Sequence, residues 1–426
     1  MNQQHELEEL LRKKGIGPEG SKSLKEDELL RLDSLLLDNQ VSITTKATIL
    51  TAFLLLEPTE AEKKWIYKTK SNYHNLPKEL HFFFRESSHP YSGIIHKILR
   101  SESLTEREAE KGMELLFDAS IEDCYKAAFL EGERLKRESF EENKAFFSFL
   151  YSKAKRIELN IPLIIDICDN YDGSGRTRNF SLFTAALLGA AGFPTVVHGV
   201  DIVAPKFGYT PHKILKAAGK DPLISPEKAV QKLTSPNICW TYIDQQVYFP
   251  ELYQLKKIRK EMVKRPFLAT FEKLLQPLRS SAGNHIVTGF THSHYKSEIA
   301  KQLKEQGYCK QAIVLKGSEG SSHMSLSKET ICILYDGREI TESTLNPSMF
   351  GLQSLEVRQD KNINENQSLQ EGMEALKGVK NYARENILYL ACSILSKFKL
   401  LKGEEAVKIL SKTLDSGKAL KAWEEY

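Results

Sequence analysis

Between residues 5 and 90, apolar positions recur at helical spacing. Leu7, Leu10 and Leu11 form an i, i+3, i+4 stripe, and Leu29, Leu32 and Leu36 an i, i+3, i+7 stripe. Ile43 to Leu56 is apolar and of helical length, and Pro58 stops it. From Ser71 to Pro90 the pattern weakens around Pro77, Pro90 and a polar SSHP, which reads as a linker. The helical pattern then returns. The stretch from Ser21 lies over the stretch from Ser101 at a constant offset of 80 residues: Ser23 on Ser103, Leu24 on Leu104, Leu35-Leu36 on Leu115-Leu116, Val41 on Ile121. Both copies start a helix with S-L-[KT]-E and an acidic first turn, as a helix dipole favours. The expectation is a duplicated small helical unit.

From Ile161 the pattern changes to short apolar runs alternating with helical segments. Candidate strands are Ile161–Cys168, Thr195–His198, Ile238–Tyr242, His285–Gly289, Gln311–Lys316 and Ile331–Tyr335. Candidate helices between them are Phe180–Ala191, Tyr209–Ala218, Pro226–Leu233, Tyr253–Met262 and His294–Gln306. This alternation predicts an α/β fold with a central, mostly parallel sheet. Asp336-Gly337 marks a turn, residues 354–368 read as loop, and Leu369 to Tyr426 reads as helical, with Ile387–Leu395 packed on the sheet. The expected domains are residues 1–90 (an extra helical unit), 91–160 (a helical domain) and 161–426 (the α/β domain with C-terminal helices).

The segment Ile161–Gly199 reads strand, glycine loop, helix, strand. Such a unit presents backbone N–H groups and a helix N-terminus to an anion. Asp172, Gly173, Ser174, Gly175, Arg176 and Thr177 form the loop, and Arg178 and Asn179 close it. Glycine admits phosphate close to the backbone, and Arg176 adds a planar, bidentate cation. Ser181 and Thr184, on the first turns of the following helix, have hydroxyls within reach of phosphate; capping and packing account for them equally well.

Composition narrows the class. Hydrophobic content of 41% with 27% charged residues is globular, and a net charge of +4 does not by itself call for nucleic acid. The 6 cysteines are scattered without a CxxC pair, which suits a reducing compartment and argues against both a disulfide framework and a cysteine zinc site. His285, His292 and His294 match no zinc spacing. The N-terminus is charged and no apolar run spans a bilayer, so a cytoplasmic protein without membrane contact is expected.

Residues from about Ile94 to Tyr426 resemble glycosyltransferase family 3, specifically anthranilate phosphoribosyltransferases and their paralogues. The family's GTGGDG loop and following Asn-Ser/Thr resemble Cys168 to Thr184. Its Lys-His-Gly-Asn-Arg turn resembles Val197 to Asp201, of which His198 and Gly199 match. Its serine-rich segment resembles Ala204 to Gly219. Its arginine-bearing helix resembles Leu252 to Leu278, where Arg259 and Arg265 are the matching cations. Its P-x-x-F-G-L turn matches Pro347 to Leu352, and its closing helix resembles Asp415 to Leu420. Departures stand beside these. The double glycine is Asn170-Tyr171, and Asp201 replaces an arginine. The acidic pair that holds Mg²⁺ falls on Ser322 and His323, neither a good ligand for a hard cation, so Mg²⁺ use cannot simply be carried over; Glu319, three residues early, is the one candidate carboxylate.

The resemblance implies a homodimer formed through the helical domain, a site at the hinge between domains, and, by likeness alone, tryptophan biosynthesis. It implies displacement of diphosphate from C1 of phosphoribosyl diphosphate (PRPP) by a nitrogen acceptor. That chemistry needs cations and N–H dipoles around the diphosphate more than a general base. Arg176, Arg178, Lys206 and the 173–177 backbone are the diphosphate candidates. His198 and Arg259 are the candidate catalytic residues, His198 as the contact to ribose or acceptor and Arg259, with Arg265, on the acceptor side. The alternative is a catalytically silent paralogue that binds single-stranded nucleic acid through the basic stretch KKIRKEMVKR, Lys256 to Arg265.

Overall fold

The computed structural model describes residues 2–15, 17, 19–293, 295–353 and 363–426. The chain divides into a helical unit, Met1–Ser152 with Gln254–Phe271, and an α/β unit, Lys153–Tyr253 with Glu272–Tyr426. No helix among the described residues is long and apolar enough to cross a membrane.

The helical unit contains α1 (Gln3–Lys14), α2 (Glu26–Leu37), α3 (Ile43–Leu55), α4 (Glu60–Ser71), α5 (Ser92–Leu99), α6 (Glu106–Phe117), α7 (Asp123–Lys136) and α8 (Phe140–Lys153). Helices α6, α7 and α8 start 80 residues after α2, α3 and α4 respectively. The repetition extends to single hydrogen bonds. Glu28 and Glu108 each accept from the backbone N–H at their helix N-cap, Lys25 and Thr105, both at 2.7 Å. Buried Glu62 accepts from Leu24 N at 3.1 Å and Thr59 N at 2.9 Å; its equivalent Glu142 accepts from Leu104 N at 2.6 Å and Ser139 N at 2.7 Å. Each glutamate is fully buried and paired with a lysine, Lys14 or Lys136. A buried charge survives only when so satisfied.

The structure moves two expected boundaries. The helical unit runs to Ser152, and residues 254–271 join it. The reason is aromatic burial: Phe267 stacks on Phe146 with ring centroids 4.4 Å apart, and Phe271 on Phe147 at 5.3 Å.

In the α/β unit, β1 (Ile157–Leu159) pairs with β5 (Leu278–Ser280). The other strands are β2 (Ile165–Cys168), β3 (Thr195–Gly199), β4 (Trp240–Asp244), β6 (Asn284–Gly289), β7 (Cys309–Leu315), β8 (Thr330–Tyr335) and β9 (Ile340–Leu345). They form one seven-stranded sheet of order β4-β3-β2-β6-β7-β8-β9. The five strands from β4 to β7 are parallel and the last two antiparallel. Strands β2, β3, β4 and β6 are buried along their whole length, as a covered parallel sheet requires. The first of the expected strands, β2, starts at Ile165 instead of Ile161, after Pro162, which has no N–H to give a ladder. Strand β9 falls outside the expected set. Its sequence ITESTL is largely exposed, the polar texture of a protected edge.

Helix α9 (Ser181–Ala190) is buried on nearly every side, and four C-terminal helices, Glu365–Leu376, Tyr382–Lys397, Gly403–Asp415 and Lys418–Glu424, complete the core. Ile387–Leu395 packs in that core as expected. Of the expected loop 354–368, residues 354–362 lie outside the described residues. Helix begins at Glu365, where Asn364 and Gln367 form a capping box.

Replacing Glu142 by alanine takes a carboxylate from buried Lys136 and strands two backbone N–H groups. We expect unfolding free energy in urea to fall by about 3 kcal/mol, and Glu62→Ala to act in the same direction.

Candidate functional site

Chain order reverses across the sheet between β2 and β6, and crevices at such switch points face the carboxyl ends of the strands. Three segments of the α/β unit converge there: the loop after β2 (Asp169–Asn179), Gly289 at the end of β6, and the loop after β7 (Gly317–His323). A Cβ on Gly289 would stand 1.9 Å from Ser321 O, so only glycine lets the last loop cross β6.

The glycine loop is pinned from below. Gly173 has φ +77, and a side chain there would strike Gly208 and Tyr209 at 2.7 Å. Ser174 and Tyr209 exchange two backbone hydrogen bonds of 2.9 Å. Lys206 Nζ donates to Gly173 O at 2.6 Å and lies 3.5 Å from Asp172 Oδ1. Arg178 does not face the loop's interior: it makes a forked pair with Glu371, Nε to the two oxygens at 2.9 and 3.0 Å. Arg176 is exposed.

The loop's N–H groups converge on an anion supplied by the chain. The Glu319 carboxylate accepts from Arg176 N at 2.9 Å, Gly175 N at 3.2 and 3.3 Å, and Thr177 Oγ1 at 3.1 Å, with Lys206 Nζ 3.3 Å away. Burial pushes this carboxyl up in pKa, but Lys206 and the N–H groups of Arg176 and Gly175 outweigh it and hold it below the ordinary value. Successive N–H groups aimed at one point form an anion nest, and here it is filled.

Beside it lies a cavity of about 10 Å³, lined by Asp169, Ser181, Thr184, Ser322 and His323 among others. It has room for about one water. Asn179 is the organising residue: its Nδ2 donates to Asp169 Oδ2 at 3.0 Å, and its Oδ1 accepts from Ser181 N and Oγ at 3.0 and 2.7 Å. Ser181 is therefore bound locally, whereas the buried Thr184 Oγ1 meets no hydrogen-bond partner among the described residues. Ser322 Oγ donates to Asp169 Oδ1 at 2.8 Å.

The expected His198-Gly199 contact takes another form. His198 is fully buried at the end of β3, its Nε2 3.0 Å from Asp166 Oδ1 and its Nδ1 2.5 Å from Tyr171 OH. Tyr171 also meets Tyr248 OH at 2.6 Å. The tyrosine that replaces a family glycine is thus an internal anchor, and His198 holds the base of the loop with no exposed surface. Gly199 lies at the strand's buried end. Arg259 and Arg265 belong to the helical unit, where Arg259 is buried. The basic stretch around them is largely engaged within that unit: Lys257 is 3.7 Å from Asp123, Glu261 holds Ser42, and Lys264, pushed down to about 8 by burial, faces Glu131. His285 packs against Phe398, and His294 lies outside the described residues.

Residues 163–420 match the profile of the Glycosyl transferase family, a/b domain. The chain belongs to this family. Anthranilate phosphoribosyltransferases of Bacillus cereus and Brevibacillus brevis are each 28% identical, over 77% and 71% of this chain and 94% and 86% of their own lengths. The enzyme of that name from Thermus thermophilus superposes with a TM-score of 0.65 at 20% identity, covering 78% of this chain and 97% of its own. The Saccharomyces cerevisiae enzyme in complex with PRPP and Mg superposes at 0.66 and 17% identity, covering 81% and 97%. The fold expected from sequence is therefore the family's fold.

Where the family pattern has its acidic pair, Ser322 and His323 offer no carboxylate; the carboxylates beside them, Asp169 and Glu319, are each held by hydrogen bonds in this structure. Sequence reasoning identified the loop and Lys206 but not Asp169 or the way Glu319 is used; an aspartate at the threonine position of the GTGGDG pattern was the available signal.

His323 and His285 are each pushed down to about 4, chiefly by burial. Each binds its proton more weakly folded than unfolded. The stability present above pH 6.5 is therefore lost as pH falls towards 4, by roughly 3 kcal/mol per histidine. Urea unfolding at neutral and acid pH should show this loss, and His323→Gln with His285→Gln should reduce it.

Proposed function

We propose that the protein transfers a phosphorylated pentosyl group, PRPP or a related sugar phosphate, to a nitrogen acceptor. One observation carries the reading: the 173–177 loop already holds an anion, gripped by two backbone N–H groups, one hydroxyl and Lys206. A diphosphate presents charge of the same sign, and more acceptor oxygens, to the same donors. Family membership and the curated relatives support the pentosyl class.

In the reaction, the C1–O bond to diphosphate breaks as the amine nitrogen bonds C1, and the proton is then lost from the new ammonium. The electron pair of the broken bond goes to the diphosphate. Lys206 and the N–H groups of Gly175 and Arg176 stabilise that charge as it grows. Asn179 and Asp169 set the shape beside it. Glu319 and a diphosphate cannot share the nest, so the carboxylate leaves when the donor enters. With no carboxylate pair in place of Ser322 and His323, binding of the diphosphate does not require Mg²⁺ in this reading.

Calorimetric titration of PRPP, with and without Mg²⁺, followed by diphosphate release with aromatic amines, tests the proposal. Heat in both titrations and amine-dependent release are expected. No heat and no release with any amine would sink it, and salt-sensitive binding of single-stranded DNA in the same cell would favour the nucleic-acid alternative.

Glu319→Gln removes the competing charge. It should tighten diphosphate binding at least about tenfold, near 1.4 kcal/mol, while Lys206→Ala should weaken it. Equal affinities in all three proteins would mean that diphosphate binds elsewhere.

A further inference from the structure

The two repeats of the helical unit do more than resemble each other. Helices α3 and α7, equivalent at the 80-residue offset, make the unit's most extensive helix–helix contact. Their N-terminal ends abut one short helix, Lys256–Met262. Ser42 and Thr45 bond Glu261 at the start of α3, and Asp123 at the start of α7 lies 3.7 Å from Lys257. Their C-terminal ends also meet, where Leu135 clusters with Ala52, Leu55 and Leu56. The helices therefore run side by side in the same direction.

The faces they use are equivalent. On α3 the contact residues are Thr51, Ala52, Leu55 and Leu56, whose counterparts on α7 are Glu131, Gly132, Leu135 and Lys136. Gly132 and Leu135 are the α7 residues in that contact. A Cβ built on Gly132 would stand 3.6 Å from Thr51 Cγ2 and 3.8 Å from Leu55 Cδ1. Leu55 and Leu135, counterparts in the repeat, pack in one cluster. Use of one patch by both partners is the mark of an isologous, two-fold interface; head-to-tail stacking of repeats would use two different patches. With α1 on α3, α5 on α7 and the helix Lys256–Met262 on both, the contact leaves little open: every residue of α3 from Thr44 to Phe53 is buried, as is α7 from Lys126 to Glu133.

We propose that residues 1–90 serve as a built-in second copy of the helical unit, closing a two-fold interface inside one chain, and that the protein is a monomer in solution. Without residues 1–90 the face of α7 that meets α3 would be open; this chain covers it with α3. The proposal stands apart from any reading of the glycine loop, and it takes the place of the homodimer that the family resemblance implied.

Sedimentation equilibrium of the full chain, from low micromolar to near-millimolar concentration, decides it. The expected mass is that of one chain, 48.5 kDa, at every concentration. A mass twice that would overturn the proposal. A second measurement asks whether the interface closes within the chain. Leu55→Cys with Leu135→Cys should form, on oxidation, a crosslink that leaves the denatured mass unchanged. A disulfide-linked pair of chains would overturn it. If the double variant does not fold, sedimentation of the unaltered chain still distinguishes one chain from two.

Discussion

The Glu319 carboxylate is the contact on which the site depends. It ties the loop after β2 to the loop after β7 through two backbone N–H groups, a hydroxyl and a lysine. Glu319 itself sits at φ 54, ψ 16, a conformation that costs a non-glycine residue about 1 kcal/mol or more. Its carbonyl is held as well, accepting from Asn170 Nδ2 at 2.5 Å. Charge-assisted bonds of this kind are the strong ones, and four of them outweigh the backbone strain. The result is a set of converging donors already satisfied by the chain's own carboxylate.

Around that contact, the departures from the family pattern compensate one another. Asp169 stands where the GTGGDG pattern has its threonine, and Asn179 and Ser322 satisfy both its oxygens. Tyr171 fills the place of the second glycine of the pair, but its ring turns into the core and completes a buried chain through His198 and Tyr248. A buried polar network is stable only when its members find partners, and this one is largely satisfied by its own substitutions. The pocket lined by Asp169, Ser322 and His323 measures about 10 Å³.

The helical unit obeys the same rule of satisfied burial on a larger scale. Glu62 and Glu142 repeat the same backbone caps at the same offset, each neutralised by a lysine from a different position in its repeat. Lys14 comes from before its repeat's first aligned helix and Lys136 from the end of α7. The glutamate is common to both copies because it caps two strands of backbone at once, whereas any nearby lysine neutralises it.

By itself, the sequence determined what local chemistry can specify. The 80-residue repeat, the parallel-sheet strands, the glycine loop, Lys206 and the P-x-x-F-G-L turn were all legible, because periodicity, turn residues and spacing are local properties. It left undecided everything that depends on which distant groups meet. Residues 254–271 read as part of the α/β domain, yet Phe267 and Phe271 find their aromatic partners in the helical unit. His198 looked available, yet the strand register points it at Asp166 and buries it. Glu319 looked like a displaced metal ligand, yet the crossing of β6 by its loop delivers its charge to the N–H groups of a loop some 140 residues earlier. Those outcomes were decided by the tertiary structure, because sheet order and loop crossings bring together charges that no sequence window contains.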